Sequence, residues 1–254
     1  MIEKIQKKAG YDSIARIYSQ INEKRPLNKF AAYPTLFDAV GDVTGKRVLD
    51  LACGTGTVAR EMHKRGAAKV VGIDQSKEML KIARSQNRGV RGVEYKHGRV
   101  GTLGKIGEFE VVTGGFLLHY SKTKEELLHM CVDIALNLEP NGVFVALNNN
   151  PLHPFASSEK YENRVDVDLP LHEGSELRVT IKGEDATVPF TTYFWKKETY
   201  GKALHAAGLT DVEWVAPVPT LEGIQEMGAD YWKEFLENAP MMVIKARKSV
   251  ITPL

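Results

Sequence analysis

The sequence predicts an α/β protein built on a doubly wound, mostly parallel sheet of seven strands. Three observations carry that prediction. Short apolar runs alternate with stretches of helical periodicity between residues 47 and 147. A glycine turn, Gly54-Thr55-Gly56, ends the first apolar run and opens a helix. After residue 150 the alternation stops, and strand-like stretches follow one another without helices. Alternating strands and helices imply a parallel sheet covered on both faces, and the right-handed crossover rule makes it doubly wound.

Taken in order, residues from about Glu3 to Asn22 read as a helix, with Ile14, Ile17, Tyr18 and Ile21 on one face. Pro26 and Pro34 break the pattern, and a second helix runs from about Thr35 to Val40. Strands follow at Arg47–Ala52, Lys69–Ile73, Val93–His97, Phe109–Thr113 and Val143–Leu147. Helices at Thr57–Arg65 and Lys77–Gln86 lie between the first three. Thr123-x-x-Glu126 is a capping box that opens a helix with Leu127, Cys131, Ile134 and Leu138 as its core stripe. Glu139-Pro140-Asn141-Gly142 stops it. Tyr161–Leu169, Ser175–Lys182 and Thr187–Trp195 read as an antiparallel set. A helix at Lys197–Ala207, a strand at Asp211–Ala216, a helix at Ala229–Glu237 and a strand at Met241–Ala246 complete the chain, the last strand antiparallel. The expected organisation is one domain over 1–254: a helical cap (1–40), a ligand-binding half (41–150), an inserted antiparallel β lid (151–195) and the C-terminal part of the sheet (196–254).

The 254 residues suffice to bury a core without disulfide or metal support. The net charge of +2 speaks against a dedicated nucleic-acid or membrane-surface protein. The sum hides a split, about +11 over residues 1–105 and −9 over 106–254. Two cysteines outside any Cys-x-x-Cys pair fit reduced thiols and a cytoplasmic location. The amino terminus has no apolar signal region, and no run approaches 18 apolar residues. Histidine spacing supplies no metal site, so none is expected.

The stretch Val48-Leu49-Asp50-Leu51-Ala52-Cys53-Gly54-Thr55-Gly56 is the most informative. Its turn places a ligand at the carboxyl end of the sheet, near the point where strand order reverses. Gly54-x-Gly56-x-x-Ala59 matches a dinucleotide fingerprint, which would make the chain a nicotinamide dehydrogenase. Asp50 inside the strand opposes that reading: a carboxylate there repels a pyrophosphate and suits an ammonium-bearing ligand. Asp74, 18 residues after Gly56, ends the second strand, where a carboxylate accepts both hydroxyls of a ribose. Gln75 and Ser76 reach an adenine edge and Met79 its face.

VLDLACGTG followed by VVGIDQSKEML resembles the first two motifs of the class I S-adenosylmethionine-dependent methyltransferases, whose sheet is Rossmann-like. The block EFEVVTGGFLLHYSKTKEELLHMCVDIALNLEPNGVFVALNNNP, the opening YDSIARIY and the closing YWKEFLENAPMMVIKARK are similar to small-molecule methyltransferases of the toxoflavin-synthase-like group. The resemblance implies S-adenosyl-L-methionine as cofactor. It implies that Asp50, Ala52, Gly54 and Gly56 line its methionine side, that Asp74 holds the ribose, and that Gln75 and Met79 lie near adenine. Phe116 and Leu117 would lie under the reacting sulfonium, and Tyr11 and Tyr18 would close over the cofactor. Arg99 departs from the pattern, because similar enzymes commonly carry an acid there and a guanidinium accepts no hydrogen bond. Adenine recognition would then fall to the backbone of Arg99 and Val100, or the loop is shifted.

Methyl transfer is an in-line displacement needing a positioned acceptor and, for some acceptors, a base. His119 is the candidate catalytic residue, as base or positioner; a histidine bonded to backbone is the structural alternative. Tyr120, Asn149, His153 and Trp195 are candidate substrate contacts. Phe190, Tyr193, Phe194 and Trp195 wall an apolar pocket or form the buried face of the inserted sheet, with Phe194 opposite Tyr193 and Trp195. The leading expectation is a methyltransferase for N or O of a small metabolite. An RNA or protein methyltransferase, and a non-catalytic cofactor-binding partner protein, are the alternatives. The expected partner is a small-molecule acceptor, with neither nucleic acid nor membrane. The inserted sheet reads as a lid or as a surface through which two copies form a homodimer. Because the acidic half holds the lid, the charge split favours a neutral or cationic acceptor over an anionic one.

Overall fold

The computed structural model describes residues 11–22, 24–153, 160–161, 163–183 and 186–249, with the side chains of 11–14 excepted. Helix α1 (Tyr11–Asn22) and a π-helical turn at Asn28–Ala32 lead into α2 (Tyr33–Val40). Then come β1 (Arg47–Leu51), α3 (Thr57–Lys64), β2 (Lys69–Asp74), α4 (Lys77–Gln86), β3 (Val93–His97) and β4 (Phe109–Gly115). A 3-10 turn at Leu118–Tyr120 precedes α5 (Lys124–Asn137) and β5 (Leu138–Asn149). The inserted strands are β6 (Asn163–Val167), β7 (Glu176–Lys182) and β8 (Thr187–Tyr193). The chain ends with α6 (Lys197–Ala206), β9 (Leu209–Val215), α7 (Leu221–Met227), α8 (Ala229–Glu237) and β10 (Met241–Lys248).

Seven strands form one sheet in the order β3-β2-β1-β4-β5-β10-β9, and β6-β7-β8 form a separate sheet. Strands β1 to β5 pair in parallel, while β10 runs antiparallel to both β5 and β9. The predicted fold class is therefore observed. Apolar strands pack on both faces because successive side chains point opposite ways. Val48, Val70, Val111 and Val243 join the core under α2, α3 and α8. Their neighbours Leu49, Val71, Val112 and Ile244 join the core under α5 and α6.

Several local expectations are corrected. Pro34 does not break a helix; it sits in the first turn of α2, where its missing N–H costs nothing. The helix does stop ahead of Glu139, at Asn137, but the strand starts earlier than expected: β5 begins at Leu138 and absorbs a register shift against β4. On α1, Ile17 stays 38% exposed, and the buried positions are Ala15, Ser19 and Asn22. That helix packs on α4 and on β8 of the inserted sheet, so its inner face is set by two neighbours rather than by its isoleucines. Residues 3–10 of the predicted first helix lie outside the described residues. The seven-residue helix α7 was not expected; Thr220 caps it and Gly223 lies within it, tight against Phe30.

The inserted sheet is tied back to the main body by Glu173. Its carboxylate meets Lys124 at 2.8 Å, the Lys196 N–H at 3.3 Å and the Thr199 hydroxyl. Burial opposes its ionisation, but these bonds together prevail and hold its pKa at about 2, below the ordinary 4.5. A depressed carboxyl pKa stabilises the fold above the unfolded value, and the contribution is lost as pH falls from about 4.5 through about 2. Glu173→Gln should therefore be less stable than the parent at pH 7, with the difference shrinking across that window. Urea unfolding between pH 7 and pH 2 measures it; a constant difference would rule out this linkage.

Candidate active site

The site forms where strand order reverses, at the carboxyl ends of β1 and β4. Both strands end in backbone that side chains disfavour: Ala52 after β1 has φ 51° and Phe116 after β4 has φ 70°. Two non-glycine residues in the left-handed region at adjacent strand ends mark stored strain of the kind found at ligand sites.

In the glycine turn, Gly54 adopts φ +52°, and a Cβ there would meet nothing within 4 Å. Its open side faces the crevice in which a ligand would lie. Gly56 is required for another reason: a Cβ would sit 2.2 Å from the Tyr95 hydroxyl oxygen. Its role is to admit Tyr95 beneath the turn, rather than to let a ligand approach.

Asp74 at the end of β2 accepts the Gly54 N–H through Oδ2 at 2.8 Å and the Ser76 N–H through Oδ1 at 2.8 Å. A carboxylate offers about four lone-pair sites, so these two backbone donors do not by themselves exhaust it. Asp50 is fully buried on β1. It lies beside Thr113 in the β1–β4 register, and its Oδ1 accepts the Thr113 hydroxyl at 2.9 Å, while Oδ2 meets no donor. Burial, opposed by the Thr113 bond and reinforced by Asp74, raises its pKa to about 7. The carboxyl is thus placed to orient the turn from beneath, not to touch a ligand from its surface.

The remaining expected cofactor residues divide. Burial raises the Tyr18 hydroxyl pKa to about 12, with the charge of Arg25 opposing and that of Asp74 adding to it. The Tyr11 side chain lies outside the described residues. Met79 is buried in the first turn of α4, its N–H capped by Ser76 at 3.1 Å, and Gln75 is exposed. Arg99 turns outward to Glu126 at 3.4 Å, and its carbonyl accepts the Thr102 N–H. Neither the guanidinium nor that carbonyl is directed to a ligand, while Val100 is buried. Leu117 is also displaced from expectation: it packs in the core against Gly114 rather than beside Phe116.

One partner of this region carried no catalytic signature in the sequence. Asp133 on α5 accepts the backbone N–H groups of Gly101, Leu103 and Gly104 at 2.6, 2.9 and 2.9 Å. Asn137, one turn later, accepts the Ile106 N–H and donates to the Gly104 carbonyl, both at 2.8 Å. Together they fix the loop after β3.

A cavity open to solvent lies between this edge and the inserted sheet. It brings together Tyr18, Phe116, His119, Tyr120, Asn149 and His153, with Val165, Leu177, Val179, Ile181 and Phe190 from the inner face of the lid. Trp195 is not among them; it is buried and donates its Nε1–H to the Ser121 carbonyl at 3.0 Å. Tyr193 joins Trp195 in the main core and Phe194 packs on the lid side, as strict alternation requires. Tyr18 meets Phe190 edge-on at 6.4 Å, so the cap closes directly on the lid.

His119 is buried on the 3-10 turn, with its Nδ1 3.0 Å from Asn148 Oδ1. The same oxygen accepts the His119 backbone N–H, which identifies it as the amide oxygen, and the Asn149 backbone N–H approaches the same ring nitrogen at 3.3 Å. Burial, opposed by the Asn148 bond, lowers the imidazole pKa to about 4. Asn149 spans to the lid, donating Nδ2–H to Thr192 Oγ1 at 3.0 Å. Burial also lowers the pKa of His153, with Glu234 opposing. Asp166 pairs with Arg164 and Asp168 with Arg178, as solvated residues do. No Asp or Glu is among the described residues lining the cavity.

Comparison with known proteins agrees with this geometry. A family described as a methyltransferase domain matches residues 48–142. The chain is 34% identical over 131 residues to a ubiquinone biosynthesis O-methyltransferase of Neisseria meningitidis, spanning 48% of this chain and 54% of that protein. It is 26% identical over 198 residues to an N-demethylindolmycin N-methyltransferase of Streptomyces griseus, spanning 74% and 82%. A crystal structure of an S-adenosylmethionine-dependent methyltransferase from Mesorhizobium loti superposes with a TM-score of 0.63 at 21% identity, over 85% of this chain and 96% of that one. With the strand order, the glycine turn and Asp74 at the end of β2, these matches show a methyltransferase domain over residues 48–142, in a chain with the fold of S-adenosylmethionine-dependent methyltransferases.

Proposed function

We propose that the protein methylates a nitrogen or oxygen of a small, flat metabolite held between cap and lid. The observation that carries this reading is the cavity itself. Phe116, at the end of β4, lines it together with the inner strands of the inserted sheet. Its lid wall is aliphatic and aromatic, with polar groups at the inner end, the composition expected of a site for a compact organic ligand. The relatives named for ubiquinone biosynthesis and for N-demethylindolmycin support a small acceptor.

S-adenosylmethionine, when bound, supplies a methyl carbon made electrophilic by its sulfonium. The chain's own groups hold and shield the reactants. Asp74 would accept the ribose hydroxyls, the Gly54 turn would lie along the methionine portion, and Tyr18 would cover the cofactor from the cap. The lid strands and Phe190 exclude water from the acceptor side. His119 is neutral at pH 7, and its Nδ1 is engaged by Asn148. The neutral ring offers Nε2 as a hydrogen-bonding partner for the polar group of the acceptor. With so low a pKa the ring positions that group more readily than it retains a proton.

Two measurements follow. Incubating the protein with methyl-labelled S-adenosylmethionine and separated cell fractions should place label in a small product identifiable by mass. Label confined to RNA or protein would overturn the reading. His119→Phe should lower kcat about 100-fold, the lower end of what a positioned proton-accepting group provides. His119→Gln, which keeps an acceptor atom, should recover most of that, with cofactor affinity unchanged in both. Equal rates for parent and His119→Phe would remove His119 from the reaction.

A further inference from the structure

Asn148 is a polar side chain at a fully buried position of β5, next to the core residues Ala146 and Leu147. An amide buried there costs stability unless its groups are bonded. Oδ1 accepts the His119 backbone N–H at 3.0 Å and lies 3.0 Å from His119 Nδ1. At the other end Nδ2 donates to the Asn149 carbonyl at 3.3 Å, and the side chain bonds the Tyr200 hydroxyl of α6. Tyr200 is itself buried and meets Trp214 edge-on at 5.8 Å. These contacts fix the amide oxygen beside the imidazole before any ligand arrives.

Nδ1 of His119 stands between two groups with opposite requirements. Asn148 Oδ1 is an acceptor and needs Nδ1–H. The Asn149 backbone N–H, 3.3 Å away, is a donor and needs a bare Nδ1. A neutral imidazole serves only one of them, and the choice decides whether Nε2 carries a lone pair or a hydrogen. The Asn148 contact is the shorter, and a bare Nδ1 would set two lone pairs against each other across 3.0 Å. The other ring nitrogen belongs to the cavity, which His119 lines between Phe116 and Tyr120, with ring separations of 6.1 and 4.7 Å. No described residue bonds Nε2, yet it is not closed off as the partnerless Asp50 Oδ2 is.

We propose that Asn148 is a positioning residue that selects the Nδ1–H form of His119, so that Nε2 presents a lone pair to the cavity. This rests on the reading of His119 as the residue that holds the methyl acceptor. The group held is then a hydrogen donor, a hydroxyl or an N–H, rather than a carbonyl or a ring nitrogen without hydrogen. Asn149 supplies the competing donor, and the Asn148 oxygen keeps it from setting the ring the other way.

Nitrogen-15 NMR of the histidine rings tests this without an acceptor, because the two neutral tautomers differ in ring shifts and coupling pattern. The His119 signals are the set missing from His119→Gln. The parent at pH 7 should show Nδ1–H. Asn148→Leu leaves only the Asn149 N–H beside Nδ1, so its ring should move to the Nε2–H form. Asn148→Asp keeps an acceptor oxygen and should keep the proton on Nδ1. A merely structural Asn148 would change stability and leave the tautomer where it is. Transfer of label from methyl-labelled S-adenosylmethionine to the small-molecule fraction of a cell extract should fall about tenfold in Asn148→Leu, the scale of one misplaced hydrogen bond. It should largely recover in Asn148→Asp, with S-adenosylhomocysteine affinity unchanged in both. An Nε2–H ring in the parent, an Nδ1–H ring in Asn148→Leu, or equal rates for the parent and Asn148→Leu would each overturn the proposal. The parent spectrum decides even where a variant does not fold. An Nε2–H parent that still labels a small product sinks this proposal and leaves the methyl-transfer reading standing; an Nδ1–H parent that labels only RNA or protein does the reverse.

Discussion

Asp74→Ala is expected to weaken S-adenosylhomocysteine binding by about 2 kcal/mol or more, roughly 30-fold, the cost of leaving charged hydrogen bonds unmade. Two losses combine. The ribose diol loses its acceptor, and the glycine turn loses the bond from the Gly54 N–H that sets its position beside β2. The Ser76 N–H is released as well, at the entry to α4. Asp74→Asn separates these contributions: it keeps one oxygen for the backbone but presents an N–H₂ where a hydroxyl donor would sit. It should therefore bind more weakly than the parent and retain more stability than the alanine variant. Calorimetry reports the affinity, and thermal unfolding without ligand reports the fold. Unchanged affinity in Asp74→Ala would remove this carboxylate from cofactor recognition.

Asp133→Ala is expected to have the largest effect on stability, about 3 kcal/mol or more. Three backbone N–H groups converge on one carboxylate that is 5% exposed. Removing it strands donors that cost about 1–3 kcal/mol each when left buried, reduced by whatever water enters the loop. The loop it secures runs from β3 to β4 and carries Arg99 and Val100, so cofactor affinity should fall with stability. Asn137 alone cannot substitute, because its oxygen is already engaged by Ile106. Urea unfolding measures the loss. A variant within 0.5 kcal/mol of the parent, the range of ordinary surface substitutions, would show that the three bonds contribute little.

The architecture was largely legible because its signals are local and periodic. Apolar runs such as Val48-Leu49 and Val70-Val71 feed both faces of a parallel sheet, and the serine and threonine caps of α4 and α5 act within one turn. Asp74 was legible because it ends a strand at a fixed distance from a glycine turn. Less visible were features set by side chains far apart in sequence. Nothing near Gly56 announces Tyr95 of β3, whose ring the glycine must admit. Asp133 reads as one more polar residue on a helix until the loop from 101 to 104 folds onto it. Trp195 and Leu117 were placed one turn from the site by proximity in sequence, and tertiary packing drew both into the core. The π-turn at Asn28 and the short helix α7 lack the length that periodicity needs, and Gly223 weakens the helical signal further. The charge split says little about the site, because net charge does not say which way a side chain points: Asp166 pairs with Arg164 and Asp168 with Arg178.

The account turns on the crevice above Gly54 and Asp74 being a cofactor site. Titrating S-adenosylhomocysteine into the purified parent protein tests this most directly. The account predicts saturable binding of one equivalent per chain in the micromolar range, lost or greatly weakened in Asp74→Ala. A parent protein that is folded yet shows no binding at millimolar ligand would contradict it.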